Sequence, residues 1–227
     1  HVGSLHELCM EKGSELEEGN PERKYKGRVV FLGDRVRDQN GQTAIFEEMA
    51  SSPAGLEASK LCDFYGLMQP YMAAALAGGA SSGDADPHVL QQSDASQAYC
   101  QAFLGGPTTW VRIPPHRRPK GWEGIQDPVC PLIRALYGHP NSGAYWEKRC
   151  DDKVIGSGFR RVGECGEWRS CYFNDDLKVL LVIYVDDFKM AGPKSKVAEA
   201  WSRLRAGDDA IVMDDPTDVD HYLGCKH

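Results

Sequence analysis

At 227 residues, with 41% hydrophobic and 26% charged side chains, the chain has the composition of an ordinary globular protein with room for one sizeable core. No run approaches the roughly 18 unbroken apolar residues of a membrane helix. The first residues also lack the basic-then-apolar pattern of a secretory leader, so a membrane-spanning or secreted protein is not expected. The net charge of −7 argues against a polyanion partner until its distribution is read: residues 1–22 carry −5 and 208–220 carry −6, leaving +4 on the rest.

Residues 1–24 are acidic and poor in β-branched side chains, which predicts a loosely held lead-in with order starting near Tyr25. The stretch 27–32 reads as a strand with basic residues at its head. The turn signal at 38–41 leads to a short partner strand at 44–46, giving a basic hairpin. Ser52 before Pro53 is an N-cap with proline at the first helical position; that helix is predicted to stop at Gly66, and an Ala-rich one to follow over 68–76. Residues 78–87 form the clearest flexible connection in the chain.

A strand at 88–94 then ends in Asp94, and a helix is predicted over 95–103. Asp94 thus either caps that helix or stands as a functional carboxylate at a strand end. A strand is expected over 108–113, and the prolines of 114–120 give a basic loop rather than a helix. Beyond a segment at 129–138, a helix is predicted over 143–156 and strands over 168–173 and from 177, joined by the turn 174–176. An amphipathic helix over 194–205 carries Val197, Ala200, Trp201 and Leu204 on one face. The acidic segment 208–227 closes the chain, with an edge strand expected at 222–224. Strands and helices mix without strict alternation, which predicts an α+β fold.

The stretch 177–192 organises the chemistry. It is an apolar strand that ends in Asp186 and Asp187 and then resumes as a second strand. Adjacent carboxylates at the edge of a core are costly unless positive charge meets them. They are therefore either a solvated turn or, joined by Asp94, a ligand set of hard oxygens for two Mg²⁺ or Mn²⁺ ions. Eight cysteines scattered singly predict reduced thiols, hence a cytoplasmic or nuclear setting. The terminal His221, Cys225 and His227 lack a fourth ligand for zinc. The first residue, His1, suggests a piece of a longer chain.

Five elements in order resemble the copia-type branch of the reverse transcriptases. They are Lys26-Gly-Arg28-Val-Val30, Asp94-Ala-Ser-Gln-Ala-Tyr99, Leu136-Tyr-Gly138 followed by Trp146, Tyr184-Val-Asp-Asp187, and Tyr222-Leu-Gly224. The resemblance covers about residues 25–225 and implies a polymerase palm, an antiparallel sheet flanked by helices, with a fingers subdomain. On that basis residues 25–93 are mainly fingers and 94–207 mainly palm, with the catalytic hairpin at 177–192. The implied activity is RNA-directed DNA polymerisation by two-metal nucleotidyl transfer onto a primer 3′-OH, within a longer polyprotein. Asp94, Asp186 and Asp187 would be its metal-binding acids. Tyr99 would be the aromatic gate against a 2′-hydroxyl, and Lys26, Arg28, Asn141 and Tyr184 would contact substrate. The implied partners are an RNA or DNA template-primer duplex and deoxynucleoside triphosphates. Two departures stand out: His139-Pro-Asn141 replaces the family's usual Leu-Lys-Gln, and the connection at 78–86 is longer than usual. The alternatives are a catalytically decayed remnant that only binds nucleic acid or a protein, and another two-metal palm enzyme such as a nucleotide cyclase.

Overall fold

The computed structural model describes residues 1–46, 53–76, 86–163 and 168–226, and over these the chain is α+β. In order come β1 (Val2–Lys12), β2 (Lys24–Phe31), α1 (Leu56–Leu76), β3 (His88–Asp94), α2 (Ala98–Gln101), β4 (Trp110–Arg112) and β5 (Val129–Pro131). There follow α3 (Ser142–Gly156), β6 (Arg160–Arg161), β7 (Cys171–Asn174), β8 (Val179–Tyr184), β9 (Asp187–Pro193), α4 (Lys194–Leu204), β10 (Thr217–Asp218), β11 (His221–Tyr222) and β12 (Cys225–Lys226). The expected cap at Ser52, the connection at 78–85, Cys165 and His227 lie outside the described residues. No described helix is long and apolar enough to cross a membrane. The chain forms two compact units that interleave in sequence, whereas the expected fingers (25–93) and palm (94–207) follow one another. One unit comprises His1–Met49 with Ala102–Tyr145, the other Ala50–Gln101 with Trp146–His227.

The first unit is built on a four-stranded sheet in the order β2-β1-β4-β5. β1 runs antiparallel to β2 from Leu5↔Phe31 to Lys12↔Lys24, and parallel to β4 from Val2↔Trp110. The expected loose lead-in is therefore corrected: residues 2–12 are a central strand. Their strict alternation, Glu7, Cys9 and Glu11 to one side against Leu8, Met10 and Lys12 to the other, is what a two-faced ribbon requires. β2 consequently pairs with β1 and not with 44–46, which instead folds back so that the Ala44 N–H donates to the Val36 carbonyl at 2.9 Å. Phe31, Val36 and Val111 are the buried centre of this unit, with Leu5, Ile113 and Leu136 packed around them. Gly138 closes it at φ +87°. A Cβ there would stand 2.1 Å from the Phe31 carbonyl oxygen, so only glycine permits the approach. The basic loop after β4 contains a single 3-10 turn, Pro115–Arg117, where proline at the first position sacrifices no hydrogen bond.

The second unit is an all-antiparallel six-stranded sheet in the order β10-β3-β9-β8-β7-β6. β8 is buried from Val179 to Ile183 on both faces because helices cover both. On one face α1 packs on β3, β8 and β9, and Ala58 and Cys62 meet Cys171, Leu180, Val182 and Ala191. On the other face α4 buries Val197, Ala200, Trp201 and Leu204, the stripe predicted from sequence. α1 is one continuous helix and does not stop at Gly66. A Cβ at Gly66 would lie 2.6 Å from Leu90 Cγ, so this glycine serves close helix-to-sheet packing and not termination. α2 is shorter than the expected 95–103 because Gln97, at φ +50°, holds a turn ahead of it. The edge strand expected at 222–224 is replaced by a tight pair of two-residue strands at the end of the acidic segment. That segment returns along β3, where Thr217 pairs with Gln92, and ends in the small hairpin β11–β12.

Candidate active site

The site begins where β8 and β9 turn. Tyr184 pairs with Asp187, so Val185 and Asp186 form a two-residue loop. Val185 adopts φ +57°, a conformation usually left to glycine and uncommon for a β-branched side chain. A specific bond holds it there. The indole of Trp146 on α3, itself buried, donates from Nε1 to the Val185 carbonyl at 2.6 Å. Such a strained and pinned turn points to a functional constraint.

β3 brings the third acid alongside. Asp94 is directly opposite Asp187 in the β3–β9 register, and the next residue, Ala95, donates its N–H to the Asp186 carbonyl at 2.8 Å. Side chains opposite one another across antiparallel strands share a face, and like charges so placed repel. Burial pushes the Asp187 carboxyl up to about 6, and the charges of Asp186 and Asp94 push it the same way. This concentrates negative charge at a half-buried turn, and hard divalent cations fit it. Among the described residues no three His, Cys, Asp or Glu side chains are already gathered as a chelating group. The fit therefore rests on charge and strand register, not on a preformed cage.

Tyr99, in α2, is drawn into the same group. Its hydroxyl is pushed above the usual range, first by burial and then by the nearby Asp186 and Tyr184. Tyr184 itself is 39% exposed at the mouth of the turn. Of the residues singled out from sequence, Asp94, Asp186, Asp187, Tyr99 and Tyr184 thus come together in one unit. Lys26, Arg28 and Asn141 belong to the other. Lys26 and Arg28 are exposed on β2, with the Arg28 guanidinium 5.6 Å from the centre of the Tyr137 ring, while the Asn141 N–H donates to His139 Nδ1 at 3.2 Å.

Several supporting residues escape a sequence reading. A cavity of about 330 Å³ beside Asp94 and Asp187 is walled by Asp214, Asp215, His221 and Tyr222 from the returning acidic segment. Ser93 Oγ donates to the Asp214 carbonyl at 2.8 Å, and the Asp214 N–H donates to the Asp94 carbonyl at 3.0 Å. The Gln101 amide clamps both backbone groups of Val212. Beneath the acids, Lys189 on β9 is fully buried. Its ammonium meets the Asp63 carboxylate and Ser59 Oγ of α1, and lies 5.0 Å from the Tyr222 ring centre. The Tyr222 hydroxyl in turn donates to the Asp187 carbonyl at 3.3 Å. A lysine two residues past an acid pair reads from sequence as a solvated strand residue. Only the i, i+2 relation to Asp187 could have placed it on the same face.

No protein-family model matches the chain, and no curated protein matches it.

Proposed function

We propose that the chain is the fingers and palm of an RNA-directed DNA polymerase, with Asp94, Asp186 and Asp187 as its metal-binding acids. One observation carries this reading. Three carboxylates, from β3, β9 and the β8–β9 turn, share a corner of the sheet, and burial together with the charges of Asp186 and Asp94 pushes the Asp187 carboxyl up to about 6. The resemblance of five ordered sequence elements supports it. Bound at these acids, Mg²⁺ or Mn²⁺ ions supply activation of a primer hydroxyl and neutralisation of a leaving pyrophosphate. The protein's own part is positional. Trp146 fixes the carbonyl before Asp186, and the β3–β9 register aligns Asp94 with Asp187. Tyr99 offers a flat, half-buried ring next to Asp186, suited to pack under a deoxyribose and to leave no room for an added oxygen.

Primer extension on a homopolymer RNA template with Mg²⁺ tests the reading. Incorporation by the wild type that is abolished in Asp186→Asn, with duplex binding retained, is the expected result. Duplex binding without any incorporation by the wild type would instead identify a decayed, binding-only remnant.

A further inference from the structure

Lys189 is a buried charge that the three acids do not account for. Side chains at 187, 189 and 191 of β9 fall on one face of the sheet, the face that α1 covers by packing Ala58 and Cys62 against Ala191. Lys189 is therefore one step inward from Asp187, with Gln92 of β3 and Val182 of β8 as its register partners. Its side chain has no exposed surface. Taking an ammonium and its carboxylate out of water is costly, and an apolar pair of similar size generally fills a core at least as well. The retained charge points to a role beyond packing.

That role is legible in what the ammonium touches. It is anchored to α1 by the Asp63 carboxylate and by Ser59 Oγ at 3.1 Å. It also lies 5.0 Å from the centre of the Tyr222 ring, within the range at which a desolvated cation and an aromatic face attract. Tyr222 is itself buried, and its hydroxyl stands 3.3 Å from the Asp187 carbonyl oxygen and 3.5 Å from that of Val182. The ladder of the β11–β12 hairpin is only two residue pairs long, too short to hold a position by itself. Tyr222 thus ties that hairpin to β8 and β9 just ahead of the acid turn, and the lysine is the seat of its ring.

We infer that Lys189, fixed by Asp63 and Ser59, is a positioning residue for the acid corner: it seats the Tyr222 ring, Tyr222 holds the Asp187 carbonyl, and the Asp187 carboxylate is thereby held in place for a divalent cation. The inference rests on the proposed function for the identity of the ligand and deepens it by naming what supports the site from beneath. Because Asp63 balances its charge, Lys189 acts by placement and not by neutralising the acids. Groups that orient metal-binding side chains typically change metal affinity by about 10–100-fold when they are lost.

The test is Mn²⁺ binding to the full chain, read from the free-ion electron paramagnetic resonance signal with no nucleotide or nucleic acid present. Tyr222→Phe, which keeps the ring and removes the hydroxyl, should weaken binding by about tenfold. Lys189→Met/Asp63→Leu, which keeps the core filled and removes the charge at the ring, should weaken it by about the same factor. Where that pair does not fold, Lys189→Gln/Asp63→Asn takes its place with the same expected loss. Adding Tyr222→Phe to the pair should weaken binding by less than about twofold more, because both changes break one chain of contacts. Leu204→Ala, which opens a cavity under α4 on the other face of the sheet, should melt earlier and bind Mn²⁺ as the wild type does. Unchanged binding in Tyr222→Phe or in the charge-free pair overturns the inference. So does a combined loss equal to the product of the separate ones, or a loss in Leu204→Ala as large as theirs. A wild type that binds no Mn²⁺ would sink the acid site and the inference together, whereas one that binds with these losses in the variants and yet extends no primer would refute the polymerase reading alone.

Discussion

Removing either member of the buried Lys189–Asp63 pair should destabilise the second unit, and by unequal amounts. Lys189 is wholly inaccessible, whereas the Asp63 side chain keeps 20% of its surface in water. Breaking a buried pair generally costs about 3–5 kcal/mol. A stranded charge can also escape by gaining or losing a proton, which caps the penalty. At pH 7 that escape costs about 4.6 kcal/mol for an ordinary lysine and about 4.2 for an ordinary aspartate. Asp63→Asn leaves a dry ammonium facing Ser59 Oγ and the Tyr222 ring, so it should approach its cap, at about 4 kcal/mol. Lys189→Met keeps the volume and leaves a carboxylate that water partly reaches, so about 2–3 kcal/mol is expected. The double variant Lys189→Met/Asp63→Leu should return to within about 1 kcal/mol of wild type, because apolar replacement of both partners removes desolvation along with attraction. Urea unfolding at pH 7, followed by the emission of Trp146 and Trp201 in the same unit, measures all three. A double variant as unstable as the sum of the singles, or an Asp63→Asn milder than Lys189→Met, would refute the argument.

Three further outcomes are expected. The Asp187 carboxyl is raised to about 6, so the folded state holds its proton more tightly than the unfolded chain does. This contribution to stability is present below the ordinary carboxylate range and is lost as pH rises through about 6. Metal-free melting temperature should therefore drop across that window, Mg²⁺ should raise it more at about pH 7.5 than at about pH 5, and Asp94→Asn should flatten both responses; a Mg²⁺ effect equal at the two pH values would count against a cation at these acids. Gly138→Ala should destabilise the first unit by more than about 2 kcal/mol, from left-handed strain and the clash with the Phe31 carbonyl, as read by thermal unfolding. Tyr99→Ala should relax discrimination against ribonucleotides by at least about tenfold in single-nucleotide incorporation while Tyr99→Phe keeps it, and unchanged discrimination would remove Tyr99 from the gate.

What could be read from the sequence was whatever local pattern dictates. The run 179–183 is apolar throughout and β8 is buried from Val179 to Ile183; the face listing Val197, Ala200, Trp201 and Leu204 is the one α4 buries. Asp94 at a strand end needed only the change from a strand pattern to a turn, and β3 ends there. What stayed hidden depended on partners distant in sequence. The polar residues of β1 looked loose because the strands that order it, β2 and β4, lie on opposite sides of it and β4 comes more than a hundred residues later. Gly66 read as a stop because its reason for being glycine is a Leu90 side chain on another element. The acid-rich stretch after α4 showed in sequence only its charge, yet its backbone is stitched to Ser93, Asp94 and Gln101.

The interleaving of the two units also governs how the chain must be made. β1 emerges first but cannot complete its sheet until residues 110–112 are available to pair with Val2–Ser4. α1 likewise exposes the apolar residues that meet Leu180, Val182 and Ala191 until β8 and β9 have followed. The first unit cannot finish before Tyr145 has emerged and the second not before the residues after Trp146, so nascent chains that stop short of β4 carry both open edges at once. Such chains are natural clients for chaperones and are the species most exposed to aggregation.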